Sequence, residues 1–133
     1  MPSEGLITIE SHFSVSRTID RLADAAIAAG LVVFARIDHG KGARDAGLEL
    51  RPTELLIFGH PRGGTPLMQD QQAAGIDLPV RALAWEDQSG QVWLGYNDTV
   101  WLARRHGLGA ASAQALATMR AGTAKLVSGA AGA

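Results

Sequence analysis

The chain has 133 residues, 12 basic and 13 acidic side chains for a formal net charge of -1, 47% hydrophobic residues and no cysteine. Such a balance gives no broad electrostatic footprint for nucleic acid or an anionic membrane, and the missing cysteines exclude disulfides, thiolate nucleophiles and the common zinc-ribbon ligand sets. The length suits one domain able to bury a real core; no stretch approaches the roughly 20 apolar residues of a membrane span, and Met1 to Gly5 lacks the pattern of a secretory signal, so a cytoplasmic location is expected.

Leu6 to Glu10 alternates apolar and polar residues and predicts a first strand. From Val15 to Ala29, Ile19, Leu22, Ala23, Ala26 and Ile27 recur at helical spacing, with Ser14 as N-cap and Gly30 just past the end. Leu31 to Asp38 predicts a second strand, and Gly40 to Gly47 a short helix or turn. Leu55 to Phe58 is an apolar run without alternation, the pattern of a strand covered on both faces. In the glycine-rich Gly59 to Pro66, Thr65 suits an N-cap and Pro66 a first helical position, predicting a helix to about Ala74. Val80 to Glu86 and Gln91 to Tyr96 flank the turn residues Asp87 to Gly90 and predict a hairpin. Pairing Glu86 with Gln91 would set Trp85 opposite Val92 and Leu83 opposite Leu94 on one apolar face, leaving Ala82, Ala84, Trp93 and Gly95 on the other. Asn97 or Asp98 caps a helix through Arg105, closed by Gly107; residues 111 to 127 read as an alanine-rich helix, and 128 to 133 as a tail that frays.

These elements predict an α+β fold: a single domain over 1 to 110 with one mostly antiparallel five-stranded sheet and helices on one face, followed by the C-terminal helix. The other face would then leave an apolar patch in water. A second copy of the chain is the simplest cover, so a homodimer through the sheet or its edge is expected; the alternative is that the C-terminal helix folds across that face.

Several residues could carry chemistry. Gly59 to Pro66 lies between a strand and a helix start, where backbone N–H groups and Arg62 could hold a small anion, although glycine-rich turns more often serve only to reverse the chain. The loop lacks the lysine and hydroxyl of a phosphate-binding P-loop. His12, His39, His60 and His106 form no metal-ligand spacing, so no metal site is expected from sequence. If neighbouring strands end together, His39 and His60 would approach each other, with Asp38 or Met68 nearby. No G-x-S-x-G elbow surrounds any serine. Asp38 beside His39, and Tyr96, Asn97 and Asp98 at the end of the last strand, offer acid, base and pocket groups, while carboxylates in such places more often cap helices. Trp85 reads as core, Trp93 as a ligand or dimer contact, and Trp101 as part of a buried helix face.

Ile37-Asp38-His39, Leu55 to Pro61, Thr65-Pro66-Leu67-Met68, Asp77-Leu78-Pro79, Trp85-Glu86-Asp87, Gly90 through Tyr96-Asn97-Asp98 and Leu102 to His106 together resemble, in order and spacing, the pattern of domain-of-unknown-function family 302, over about residues 12 to 107. The resemblance implies a small α+β domain, commonly a dimer, with no assigned activity and no named catalytic residue. It draws attention to Asp38, His39, Gly59, Thr65, Met68, Tyr96 and Asp98.

Three functional readings follow. The first is a homodimeric small-ligand-binding or sensing domain, whose pocket uses Gly59, His60, Arg62, Thr65, Met68 and Tyr96 with His39. The second is an enzyme on a small polar or anionic substrate, with His39 as general base oriented by Asp38 or Asp98. The third is a purely structural association module. The sequence names no cofactor.

Overall fold

A computed structural model describes residues 3–133. In chain order the elements are β1 (Leu6–Ser11), α1 (Val15–Ala28), β2 (Val32–Asp38), α2 (His39–Asp45), β3 (Thr53–Gly59), α3 (Pro61–Asp70), β4 (Val80–Glu86), β5 (Val92–Asn97), α4 (Thr99–His106) and α5 (Ala113–Ala131), with 3-10 turns at Gln72–Asp77 and Ala110–Ser112. The strands form one sheet in the order β1-β5-β4-β3-β2, antiparallel throughout. This is the expected α+β architecture. Because neighbours alternate in direction, β3 and β5 finish at the end of the sheet where β1, β2 and β4 start, and β2 finishes at the opposite end.

Period-two alternation divides the sheet into two chemically different faces. Leu56, Phe58, Ala82, Ala84, Val92, Leu94 and Tyr96 are buried together with Ile19, Leu22 and Ala26 of α1 and Val127, Ala130 and Ala131 of α5. Small residues on β4 let α1 approach the sheet closely. The buried stripe of α1 is Val15, Thr18, Ile19, Leu22 and Ala26; Ile27, expected on that stripe, is 61% exposed. At i+8 from Ile19, Ile27 has rotated toward the stripe's edge, and Ala26 alone fills the contact. The expected Ser14 cap is present, its Oγ accepting from Arg17 N–H.

The hairpin register differs from the sequence expectation by one residue. Glu86 pairs with Val92, Trp85 with Trp93 and Ala84 with Leu94. Asp87 causes the shift: its N–H donates to Gln91 O at 2.9 Å, and its Oδ1 accepts from the N–H groups of Ser89 and Gln91, so Gln91 belongs to the turn. A one-residue slip exchanges the faces. Ala82 and Ala84 therefore enter the core beside Val92 and Leu94, while Leu83 and Trp85 join Trp93, Leu55, Ile57 and Ile37 on the helix-free face, all partly exposed. The apolar open face exists as expected and carries Trp93 as expected, but β4 contributes Leu83 and Trp85 in place of Ala82 and Ala84, so Trp85 is not core.

Two further expectations change. The first turns of α3 are built from the glycine-rich segment itself, because His60 caps the helix and Pro61 occupies the first turn; Thr65 and Pro66 lie inside it. The tail expected to fray is helical to Ala131. Ala130 and Ala131 are buried, Arg21 donates to Ala130 O and Gly129 O, both at 3.0 Å, and His12 N–H donates to Ala131 O. Helix α5 packs chiefly on α1 and on the helical side, so it does not cover the open face.

Candidate functional site

A groove of about 870 Å³ opens at the sheet end where β3 finishes. Its walls come from the end of α1 and start of β2 (Gly30, Leu31, Phe34), the end of β3 (Phe58, Gly59), α3, the start of β4 and α5. Phe58 forms buried floor, whereas Phe34 is 51% exposed. Leu78 and Pro79, joined by a cis peptide, approach Gly59: a Cβ on that glycine would lie 3.5 Å from Pro79. On the opposite wall stand Met119, Gly122 and Leu126 of α5. Glycine at 122 keeps that wall low, since a Cβ there would meet nothing within 4 Å.

The groove's polar groups are few. Arg62 and Lys125 are its charged lining residues, with His60, Thr65, Thr118 and Thr123, and no carboxylate lines it. Neither cation forms an ion pair among the described residues. His60 Nδ1 accepts from Arg62 N–H at 3.1 Å, which places the neutral ring's proton on Nε2. The backbone of α3 is less available than its glycines suggested. Pro61 has no N–H, Arg62 N–H is taken by His60, and the N–H groups of Gly63 and Gly64 point to His60 O. Any anion held here would rest on the side chains of Arg62 and Lys125 rather than on a nest of free amides.

Of the residues proposed from sequence, the groove brings together Gly59, His60, Arg62, Thr65 and Met68. His39 and Asp38 lie elsewhere. Since β2 and β3 are antiparallel, with Asp38 opposite Glu54 and Val32 opposite Gly59, His39 and His60 sit at opposite ends of the sheet, separated by on the order of 23 Å. No group of three or more potential metal-binding His, Asp or Glu side chains occurs among the described residues. Asp38 is committed as the cap of α2, its Oδ1 accepting from Lys41 N–H at 2.8 Å, and His39 is exposed in the helix it opens. Asp98 likewise caps α4 through Val100 N–H, at the sheet end opposite His39. Tyr96 is 8% exposed in the core, and burial, then the nearby Asp98 charge, pushes its phenol pKa upward. The arrangement of His39 as a base oriented by Asp38 or Asp98 is therefore not assembled, since each carboxylate is committed to a helix cap.

Sequence reasoning missed the α5 wall and Phe34. Met119 and Leu126 had the spacing of ordinary helix packing, and only the chain's return placed them across from Gly59. Also unforeseen was the cluster in which Asp77 accepts from Arg105 at 3.0 Å through each carboxylate oxygen and meets His106 Nε2 at 2.5 Å. It ties the Gln72–Asp77 turn to α4.

With this geometry in view, comparison with known proteins gives three results. The chain matches the domain of unknown function DUF302 over residues 7–126. It is 56% identical over 128 residues, 96% of its own length, to proteins named fluoride-specific ion channel FluC 1 from Brucella suis and from Brucella abortus, and it spans about half the length of those relatives (50% and 47%). The crystal structure of an uncharacterized conserved DUF302 protein from Bacillus stearothermophilus superposes with a TM-score of 0.75, covering 98% of each chain at 17% identity, a likeness that concerns the fold alone. A match running from β1 through most of α5, on a shared α+β fold, shows that the chain belongs to the DUF302 family.

Proposed function

We propose that the chain is a small-ligand-binding module whose groove takes an apolar molecule carrying one acidic end. The observation that carries this reading is the groove's lining: Leu31, Phe34, Phe58, Met68, Met119 and Leu126 form apolar walls, and the charged lining residues, Arg62 and Lys125, are both cations. Its size falls within the usual range for small-molecule sites, about 300–1,000 Å³. A simple probe is dodecanoate below its micellar concentration, compared with dodecanol. A saturable rise in melting temperature with dodecanoate, weakened in an Arg62→Gln/Lys125→Gln double variant, supports the reading; no stabilisation by either amphiphile refutes it.

The Brucella relatives give the module a context. Those whole proteins are named as fluoride-specific channels, while no helix among the residues described here is long and apolar enough to cross a membrane. We read the matched half of those relatives as a ligand-binding attachment to a channel-forming remainder. The module's own partner is a second copy. Ile37, Leu55, Ile57, Leu83, Trp85 and Trp93 present a contiguous apolar sheet face that no helix covers, and twofold pairing would shelter it on both subunits at once. Sedimentation equilibrium is expected to give a dimer mass that shifts to monomer in Leu83→Asp; a monomer for the unaltered chain at high micromolar concentration removes the dimer. The enzyme reading loses ground because, of the two groups offered to orient His39, Asp98 lies at the opposite sheet end and Asp38 is taken up as the cap of α2.

A further inference from the structure

Among the described residues, two buried side-chain atoms lack any hydrogen-bond partner: Arg81 Nε and Thr99 Oγ1. Both residues line the same small cavity, about 10 Å³, together with Asp77, Val80, Asn97, Leu102 and Thr123. That volume matches one water-sized particle. Thr99 is 3% exposed, so its hydroxyl has no route to bulk water, and an unpartnered buried polar group costs about 1–3 kcal/mol. That both residues with an unpartnered buried atom line one cavity calls for an occupant that serves both.

The chemistry of the lining selects its charge. Arg81 Nε–H can only donate, and Thr99 Oγ1–H can donate as well, so an occupant accepting from both is favoured. Among the described residues Arg81 forms no ion pair with a carboxylate. The cavity's one carboxylate, Asp77, is already engaged by Arg105 through both oxygens and by His106, which offsets its negative charge and leaves the Arg81 cation uncompensated. Val80 and Leu102 supply apolar walls that leave no room for a hydration shell. We propose that this cavity is a binding site for a single water-sized anion, of which fluoride is the representative; chloride and oxyanions are larger than the space. The site is separate from the ligand groove, with Val80 and Thr123 lining both, and it stands or falls independently of what the groove holds.

The test is a fluorine NMR titration of the whole chain with sodium fluoride, with sodium chloride as competitor at constant ionic strength. A saturable bound or exchange-broadened fluoride signal that chloride does not displace is expected. Thr99→Val and Arg81→Gln are each expected to weaken fluoride at least about tenfold, and Thr99→Ser, which keeps the hydroxyl, to retain it. Circular dichroism establishes that each variant is folded. If the unaltered chain shows no fluoride signal beyond buffer, the cavity holds water and the proposal fails, whatever the variants do. Equal displacement by chloride, or an unchanged fluoride affinity in folded Thr99→Val and Arg81→Gln, also overturns it.

Discussion

Trp93 donates its indole Nε1–H to Oδ2 of Asp87 at 2.9 Å, fastening an aromatic ring of the open sheet face to the turn that sets its register. The other oxygen of Asp87 accepts from Ser89 Oγ–H at 2.7 Å, Ser89 N–H at 2.9 Å and Gln91 N–H at 3.0 Å. These donors, the Ser89 hydroxyl first and the Trp93 indole next, favour the ionised carboxyl and hold its pKa at about 2, against an ordinary value of 3.8.

A pH dependence follows from that relationship. The folded-state pKa lies below the unfolded one, so the ionised Asp87 contributes stability above pH 3.8, and this contribution is lost as pH falls toward about 2. Asp87→Asn is expected to be less stable than the parent near neutral pH, with the difference shrinking as the solution is acidified through that window. Urea midpoints measured across the acid range check this. A gap that stays constant with pH would mean that the turn geometry, and not the charge, matters.

The end of α5 is held by Arg21, which reaches Ala130 O and Gly129 O and lays its guanidinium 4.2 Å from the centroid of the Phe13 ring. Arg21→Met keeps most of the apolar stem and removes the donors. It is expected to lower stability by about 1–2 kcal/mol, allowing for partial exposure of the pair, and to speed amide exchange selectively at the C-terminal turn of α5. Hydrogen exchange read residue by residue distinguishes this local fraying from a global loss.

Asp38 and His39 should behave as structural rather than ligand residues. Asp38→Ala removes the cap of α2 and is expected to cost about 1 kcal/mol of stability, whereas His39→Ala, at an exposed position, should be nearly neutral. Neither change should alter dodecanoate binding in the groove. A binding defect in folded His39→Ala, measured by calorimetry, would contradict the placement of the site at the other sheet end.

Local chemistry made several elements legible in the sequence. Ser14 and the apolar spacing from Val15 marked α1, Val80 to Glu86 marked β4 to its last residue, and Asp98 with Gly107 marked both ends of α4. Caps, helical periodicity and left-handed glycines act within a few residues, so they are written in the order of the chain. The candidate site was only half visible. Gly59 to Met68 stood out because glycine and proline restrict the backbone there, but α5's groove-lining Met119 and Leu126 carried no mark distinguishing a groove wall from core packing.

What the chain determined alone was therefore its elements, its α+β class and the existence of an apolar sheet face. Tertiary structure decided which residues occupy that face, because one extra turn residue, Gln91, shifts β4 by one position against β5 and so exchanges the faces of β4. It also decided that His39 and His60 part company, since antiparallel pairing sends the ends of adjacent strands in opposite directions. The docking of α5 closed one side of the groove and buried the Ala130–Ala131 turn, through contacts more than 100 residues apart in the chain. Proximity of that kind depends on how elements pack, which no local pattern of residues encodes.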